Sequence, residues 1–209
     1  MKKQKVGFIG VGKVGTALAT TLFKGGYPVV AVANKNISPS DKLIDLVPGC
    51  HVFKTAQEVA NTADHVFITT PDDSISTVAS ELKWRPEQKV VHCSGAASID
   101  ILEAAKKSGA MVGSFHPCQA FASVDQAIKN LPGSTFAIEA QGPLLDTLKE
   151  MASTIGCDWI ILKPGNKALY HAAAVFASNY FVTLLKVATD LFQNFDVPTT
   201  QSTDRKSVV

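Results

Sequence analysis

Short apolar runs rich in β-branched residues alternate with stretches whose apolar positions recur at helical spacing, along most of the chain. That alternation predicts a parallel sheet with helices on both faces. Val6 to Gly10 reads as the first strand. Lys13 to Lys24 reads as its crossover helix, with Val14, Leu18 and Leu22 on one stripe and Gly25-Gly26 as its end. Val29 to Ala33 is the second strand; Ser38-Pro39 then opens a helix, as N-cap and first-turn proline, that runs out before Pro48-Gly49. Thr55 and Glu58 have the spacing of a capping box. Further strands are expected at His65 to Thr70, Val90 to Cys93, Met111 to Phe115, Thr135 to Glu139 and Asp158 to Leu162. Between them, Asp72 or Asp73, Ser98 and Gly142-Pro143 are read as helix starts, and 116–124 as a loop before a short helix.

From Asn166 to about Phe195 the pattern changes to one long apolar helix, whose all-round hydrophobicity implies burial against a partner surface. Residues 168–185 carry no formal charge and are long enough to raise a membrane span, yet His171, Ser178 and Asn179 sit among them. A buried helix of a soluble protein is the expectation, with no membrane partner. One helix cannot form a second core, so either the sequence is a fragment or another subunit covers the helix; residues 1–164 read as a nucleotide-binding domain and residues 165–203 as the start of an incomplete helical domain. Residues 204–209 match the translation of a common sequencing-library adapter and are read as a non-native tail.

Composition adds bounds. With 46% hydrophobic residues among 209 the chain buries a real core, and a net charge of +2 with scattered Lys and Arg gives no stripe for nucleic acid. Lys13 and three glycines interrupt the apolar run after the basic start, so the N-terminus reads as a strand and not as a signal peptide. Cys50, Cys93, Cys118 and Cys157 are far apart with no CxxC pair, which points to a reducing cytoplasm. His92, Cys93, His116 and Cys118 match no standard metal spacing, and no metal is expected.

Gly10-Val11-Gly12-Lys13-Val14-Gly15 lies between a predicted strand and a predicted helix, the context that gives GxGxxG its meaning. The first glycine permits the turn, the second admits a pyrophosphate, the third lets helix and strand pack, and free amides at the helix start face the phosphates. The fold class is therefore α/β: a Rossmann doubly wound, mostly parallel sheet followed by the first long helix of a truncated all-helical domain. A site selective for NAD places a carboxylate at the end of the second strand. Here Asn34-Lys35-Asn36 stands there, so NADP(H) is expected as cofactor and NAD(H) is disfavoured. Ligands of such sheets lie at the carboxyl ends of strands, which adds Thr69, Thr70, Pro71 and Asp72, and Cys93, Ser94 and Gly95. Turn chemistry accounts for either set equally, and for Asp72 a helix cap does.

Thr70-Pro71-Asp72-Asp73-Ser74-Ile75, His92-Cys93-Ser94-Gly95, Ser114-Phe115-His116-Pro117 and Tyr170-His171-Ala172-Ala173-Ala174 with Ser178-Asn179 together resemble the Rossmann-like proteins that carry a DUF2520 domain. These are distant relatives of pyrroline-5-carboxylate reductase, ketopantoate reductase and the F420-dependent NADP oxidoreductases. The resemblance implies a helical C-terminal domain of DUF2520 type that forms a homodimer and completes the active-site cleft.

Lys167, His171 and Ser178 are spaced to share a helix face, with Asn179 at its edge. Reduction of C=O or C=N needs a proton donor beside the nicotinamide, and His171 can act at neutral pH. Lys167 could share that role or orient a substrate carboxylate, with Asn179 as a third catalytic candidate and Ser178 and His116 lining the substrate. A satisfied structural group is the competing account of each. The resulting expectation is an NADP(H)-dependent oxidoreductase acting on a small carbonyl or imine metabolite. The alternative is a non-catalytic NADP-binding sensor or scaffold.

Overall fold

The computed structural model describes residues 4–35 and 43–195, with Pro198 and Thr200. The helix start at Ser38-Pro39, Asn36 and the tail 204–209 lie outside the described residues, although residues 43–46 are helical. Eight strands form one sheet in the order β3-β2-β1-β4-β5-β6-β7-β8. They are β1 (Val6–Ile9), β2 (Val29–Ala33), β3 (His51–Phe53), β4 (His65–Ile68), β5 (Lys89–His92), β6 (Met111–Pro117), β7 (Thr135–Glu139) and β8 (Asp158–Ile161). All neighbours pair in parallel except β6 and β7.

Helices cover both faces: α1 (Lys13–Lys24), α2 (Ala56–Thr62), α3 (Asp72–Glu81), α4 (Glu103–Lys107) after a 3-10 turn at Ile99–Leu102, α5 (Val124–Asn130) and α6 (Gly142–Thr154). The parallel strands β1, β4 and β5 are buried on both faces, which is why apolar residues occupy adjacent positions in them without a period-two alternation. One core, under α1 and α6, carries Phe8 stacked on Phe67 at 5.1 Å and Phe115 stacked on Phe136 at 4.0 Å between ring centroids. The opposite core, under α2, α3 and α4, is built from smaller residues such as Ile9, Ala31, Val66, Ile68 and Val90.

Local signals explain several boundaries. Helix α1 spans the expected residues and stops where Gly25 and a positive-φ Gly26 follow. The Thr55–Glu58 capping box is formed reciprocally. One strand is added and three expectations are corrected. Strand β3 lies between the second strand and Thr55, too short at three residues to show an alternation. Strand β4 stops at Ile68 and β5 at His92, so Thr69, Thr70 and Cys93 are loop residues. Helix α3 begins after Pro71 with no side-chain cap, so neither Asp72 nor Asp73 plays that part. Strand β6 runs on through His116 and Pro117, because the antiparallel partner β7 extends the ladder to the pair Pro117 and Phe136.

The chain divides into two compact units, residues 1–167 and 168–209. In the second unit the helical path is α7 (Lys167–Val175, whose first residue belongs to the first unit), a π turn at Phe176–Tyr180, α8 (Phe181–Phe192) and a 3-10 turn at Gln193–Phe195. The single even helix expected from periodicity is thus interrupted. Ser178 Oγ donates to the Ala174 carbonyl and Thr183 Oγ1 to that of Asn179, back-bonds that loosen a helix and accompany wider turns. Lys167–Phe195 is long and apolar enough to cross a membrane by length and composition. Leu169, Phe176, Val182, Leu184, Leu191 and Phe195 on it are all exposed.

Candidate functional site

The last residues of β2, β1, β4 and β5 line up in one row that continues through Ser114 of β6 to the last residue of β7. Ala33 pairs with Ile9, Ile9 with Ile68, Ile68 with His92, His92 with Ser114, and Ser114, across the antiparallel step, with Glu139. Paired residues put their side chains on the same face, so this row is apolar under β2, β1 and β4 and polar under β5, β6 and β7. All three polar members are buried: His92 and Ser114 are 0% exposed and Glu139 4%. Desolvated polar groups are costly unless something engages them, so a polar half-row at the carboxyl edge of a sheet, where ligands of such folds lie, is a candidate site.

At the apolar half stands the glycine turn. Gly10 has φ +89°, a conformation glycine adopts freely, and a Cβ there would meet Thr70 N at 2.8 Å. A Cβ on Gly15 would lie 2.4 Å from the Gly10 carbonyl oxygen and 2.5 Å from Thr69 Oγ1. A Cβ on Gly12 would meet no heavy atom within 4 Å. The outer two glycines are thus required by the protein itself, and the middle one leaves open space in front of the first-turn amides of α1. That space fits a pyrophosphate, the group that needs both backbone approach and a helix N-terminus. Thr69 ties the turn to β4: its N–H donates to Ile9 O at 2.8 Å and its hydroxyl to Gly10 O. Val11 is buried, Val14 half-buried and Lys13 exposed; Asn34 and Lys35 follow β2, half-buried and exposed.

The loop after β5 is organised by Ser94. Its hydroxyl donates to Asp72 Oδ2 at 2.6 Å and accepts from the amides of Ala96 at 3.2 Å and Ala97 at 3.0 Å. Ser94 is therefore spent on holding the loop, and Asp72 on holding Ser94. Gly95 faces the His116 ring so closely that a Cβ would lie 2.7 Å from Nε2. His116 sits within β6 and not in a loop past it, half-buried beside the loop after β5.

Lys167 completes the polar half. It is 3% exposed, and its ammonium donates to Ser114 Oγ at 2.5 Å. Burial pushes its pKa down to about 8, against the opposing pull of Glu139, Cys93 and Asp72. Burial, and then Lys167, hold His92 at about 3, so its ring is neutral; its Nδ1 accepts from the Ser94 amide at 3.1 Å. Burial raises the Cys93 thiol to about 12, which keeps it uncharged. Among the described residues no three His, Cys, Asp or Glu side chains converge as a metal site.

The first unit thus brings together the glycine turn, Thr69, Thr70, Asp72, Cys93, Ser94, Gly95, His116 and Lys167. His171, Ser178 and Asn179 belong to the second unit, where all three are exposed and Ser178 Oγ also donates to Asn179 Oδ1 at 2.8 Å. Ser178 and Asn179 lie within the π turn Phe176–Tyr180, where regular helical spacing does not apply.

A glycine turn at the reversal point of a parallel sheet is a nucleotide-binding geometry, and the profile of the Rossmann-like domain matches residues 1–117, more than half of the chain. The chain belongs to the Rossmann-like family. A domain of unknown function, DUF2520, matches residues 134–205 of this Rossmann-like protein. No curated protein matches the sequence. Among solved structures, a candidate NADP oxidoreductase from Bacteroides fragilis superposes with TM-score 0.75 at 22% identity, over 95% of this chain and 76% of that one. A reductive aminase from Aspergillus terreus, in complex with NADPH and ethyl-5-oxohexanoate, gives 0.76 at 15% identity over 95% and 69%. A pyrroline-5-carboxylate reductase from Coxiella burnetii gives 0.73 at 14% identity over 96% and 74%. Identities this low carry the fold and nothing finer.

Two members of the polar half-row carry no role in the sequence pattern: Ser114 stands in a motif without a function of its own, and Glu139 only closes a strand. The available signal was that closing carboxylate on the otherwise buried strand Thr135–Glu139, since a charge at a buried strand end needs a partner.

Proposed function

We propose that this Rossmann-like protein is an NADP(H)-dependent oxidoreductase that reduces a small carbonyl or imine, with Lys167 as proton donor. The observation that carries the reading is a buried lysine, hydrogen-bonded to Ser114, on the same carboxyl edge as an open glycine turn. The amine stands over β6, three strands and about 14 Å from β1, so a dinucleotide laid across the edge from the glycine turn runs toward it.

Reduced nicotinamide supplies the hydride; the chain must supply the proton that completes the alcohol or amine. An amine with pKa about 8 is mostly charged at neutral pH yet gives up its proton far more readily than an ordinary lysine. Gly10, Gly12 and Gly15 hold the pyrophosphate, the amides of Lys13 and Val14 face it, and Lys35 attracts the 2′-phosphate that separates NADP(H) from NAD(H). His116 borders the reacting end from β6. His171, Ser178 and Asn179 enter the proposal on residue type alone, and the exposed apolar residues of the Lys167–Phe195 helix support a homodimer.

The test is NADPH oxidation, followed by absorbance, against a panel of ketones, preformed imines and a deazaflavin. Turnover that Lys167→Met abolishes, with NADPH still bound, is the expected result. Tight NADPH binding without turnover of any acceptor overturns catalysis and leaves the sensor or scaffold; no binding of either dinucleotide overturns both.

A further inference from the structure

We propose that Glu139 is the positioning residue for Lys167: the buried counter-charge, next in register to Ser114, that holds the ammonium in place beside Ser114 of β6. The proposal rests on Lys167 as proton donor and names what keeps it charged. Ser114 sits between His92 and Glu139 in the strand register, and Lys167 Nζ bonds the Ser114 hydroxyl at 2.5 Å. A neutral hydroxyl orients an ammonium but cannot offset the cost of burying it. Glu139 is the only buried carboxylate among the described residues, and it lies one strand spacing, ~4.8 Å, from Ser114. Its carboxyl accepts from the Ile99 amide, while Oε2 is buried with no hydrogen-bond partner, so its charge is not consumed by local bonds.

The other groups around Lys167 do not fill this place. Asp72, at the start of α3, is exposed and bonded to Ser94. Cys93 after β5 is a neutral thiol, and His92 on β5 is a neutral ring with His116 of β6 beyond it. Burial raises the Glu139 carboxyl and Lys167 draws it back down, the reciprocal of what Glu139 does to the amine.

The experiment titrates Lys167 directly, by NMR on protein carrying 13C in its lysine side chains, with Lys167→Met to assign the signal. Glu139→Gln keeps the shape and an acceptor for the Ile99 amide but removes the charge. The expected result is a fall of tenfold or more in the proton affinity of the Lys167 amine, with Glu139→Asp retaining most of the wild-type value. An amine that titrates at the same pH in Glu139→Gln overturns the proposal. If Glu139→Gln does not fold, the reciprocal reading decides: in Lys167→Met the Glu139 carboxyl must titrate at a higher pH than in the wild type, and an unmoved carboxyl overturns the pairing. Neither titration needs cofactor or turnover. Coupled titrations in a protein that reduces nothing would therefore sink the oxidoreductase reading and leave the pair intact.

Discussion

Replacing Gly12 and Gly15 by alanine, one at a time, separates what the fold needs from what a ligand needs. In Gly15→Ala the new Cβ lies 2.4 Å from the Gly10 carbonyl oxygen and 2.5 Å from Thr69 Oγ1, about 1 Å inside normal contact, and one of those atoms is backbone. The turn must shift, at a cost of roughly 1–3 kcal/mol. For a chain of this size that lowers Tm by about 2–4 °C per kcal/mol. In Gly12→Ala the Cβ meets nothing within 4 Å, and φ of −74° suits alanine. Only the exchange of an N-cap glycine for alanine costs stability there, about 1 kcal/mol or less. A methyl group in the space that a pyrophosphate would enter should nevertheless weaken NADPH binding by about tenfold or more, or about 1.4 kcal/mol. Thermal melts without ligand and calorimetric titration with NADPH give the two readouts. Gly12→Ala that binds NADPH as tightly as wild type would show that no phosphate approaches the middle glycine, and the assignment of the turn would fail.

Two further outcomes follow from the same structure. Lys35→Ala should weaken NADPH binding by about tenfold and leave NADH nearly unchanged, as expected for one exposed cation facing a 2′-phosphate; equal losses for both dinucleotides in a fluorescence titration would remove Lys35 from that role. Acid should destabilise the protein through His65 and His92. Their folded pKa values, lowered chiefly by burial to about 4 and about 3, lie below the unfolded value of 6.5, so the unfolded chain binds more protons between pH 6.5 and 4 and stability falls as pH drops through that window. The loss is on the order of 3 kcal/mol for each histidine. Urea melts at pH 7 and pH 4.5 measure it, and His65→Gln should flatten the dependence.

Elements whose information is local were legible in the sequence. Helix α1 has its stripe within twelve residues and a glycine on either side of them, and the Thr55–Glu58 box needs only four. Features set by distant partners were not. Strand β6 continues through His116-Pro117 only because β7, some twenty residues later, supplies antiparallel hydrogen bonds. Asp72 looks like a helix cap until Ser94, on another strand's loop, is seen to claim its carboxylate. The π turn depends on side chains returning bonds to the preceding turn, which periodicity does not encode.

The candidate site divides along the same line. A glycine turn is a contiguous signal, whereas His92, Ser114 and Glu139 are scattered over 48 residues and become one feature only through strand register. Their burial is what makes them informative. An apolar row could have continued from Ile9 and Ile68 across the whole sheet at no electrostatic cost, as it does in the rows beneath, where Val66 pairs with Val90 and Val90 with Val112. Three buried polar side chains and a buried lysine instead sacrifice hydrophobic stabilisation of about 1.5–3 kcal/mol for each large apolar group they displace. A second buried polar pair, His65 with Lys89, stands at the opposite edge, so what sets the row of His92, Ser114 and Glu139 apart is its place on the carboxyl side, level with the glycine turn, and the lysine that meets it. It follows that replacing Ser114 and Lys167 together by apolar residues, Ser114→Ala with Lys167→Met, should leave the fold at least as stable as Lys167→Met alone while abolishing any turnover.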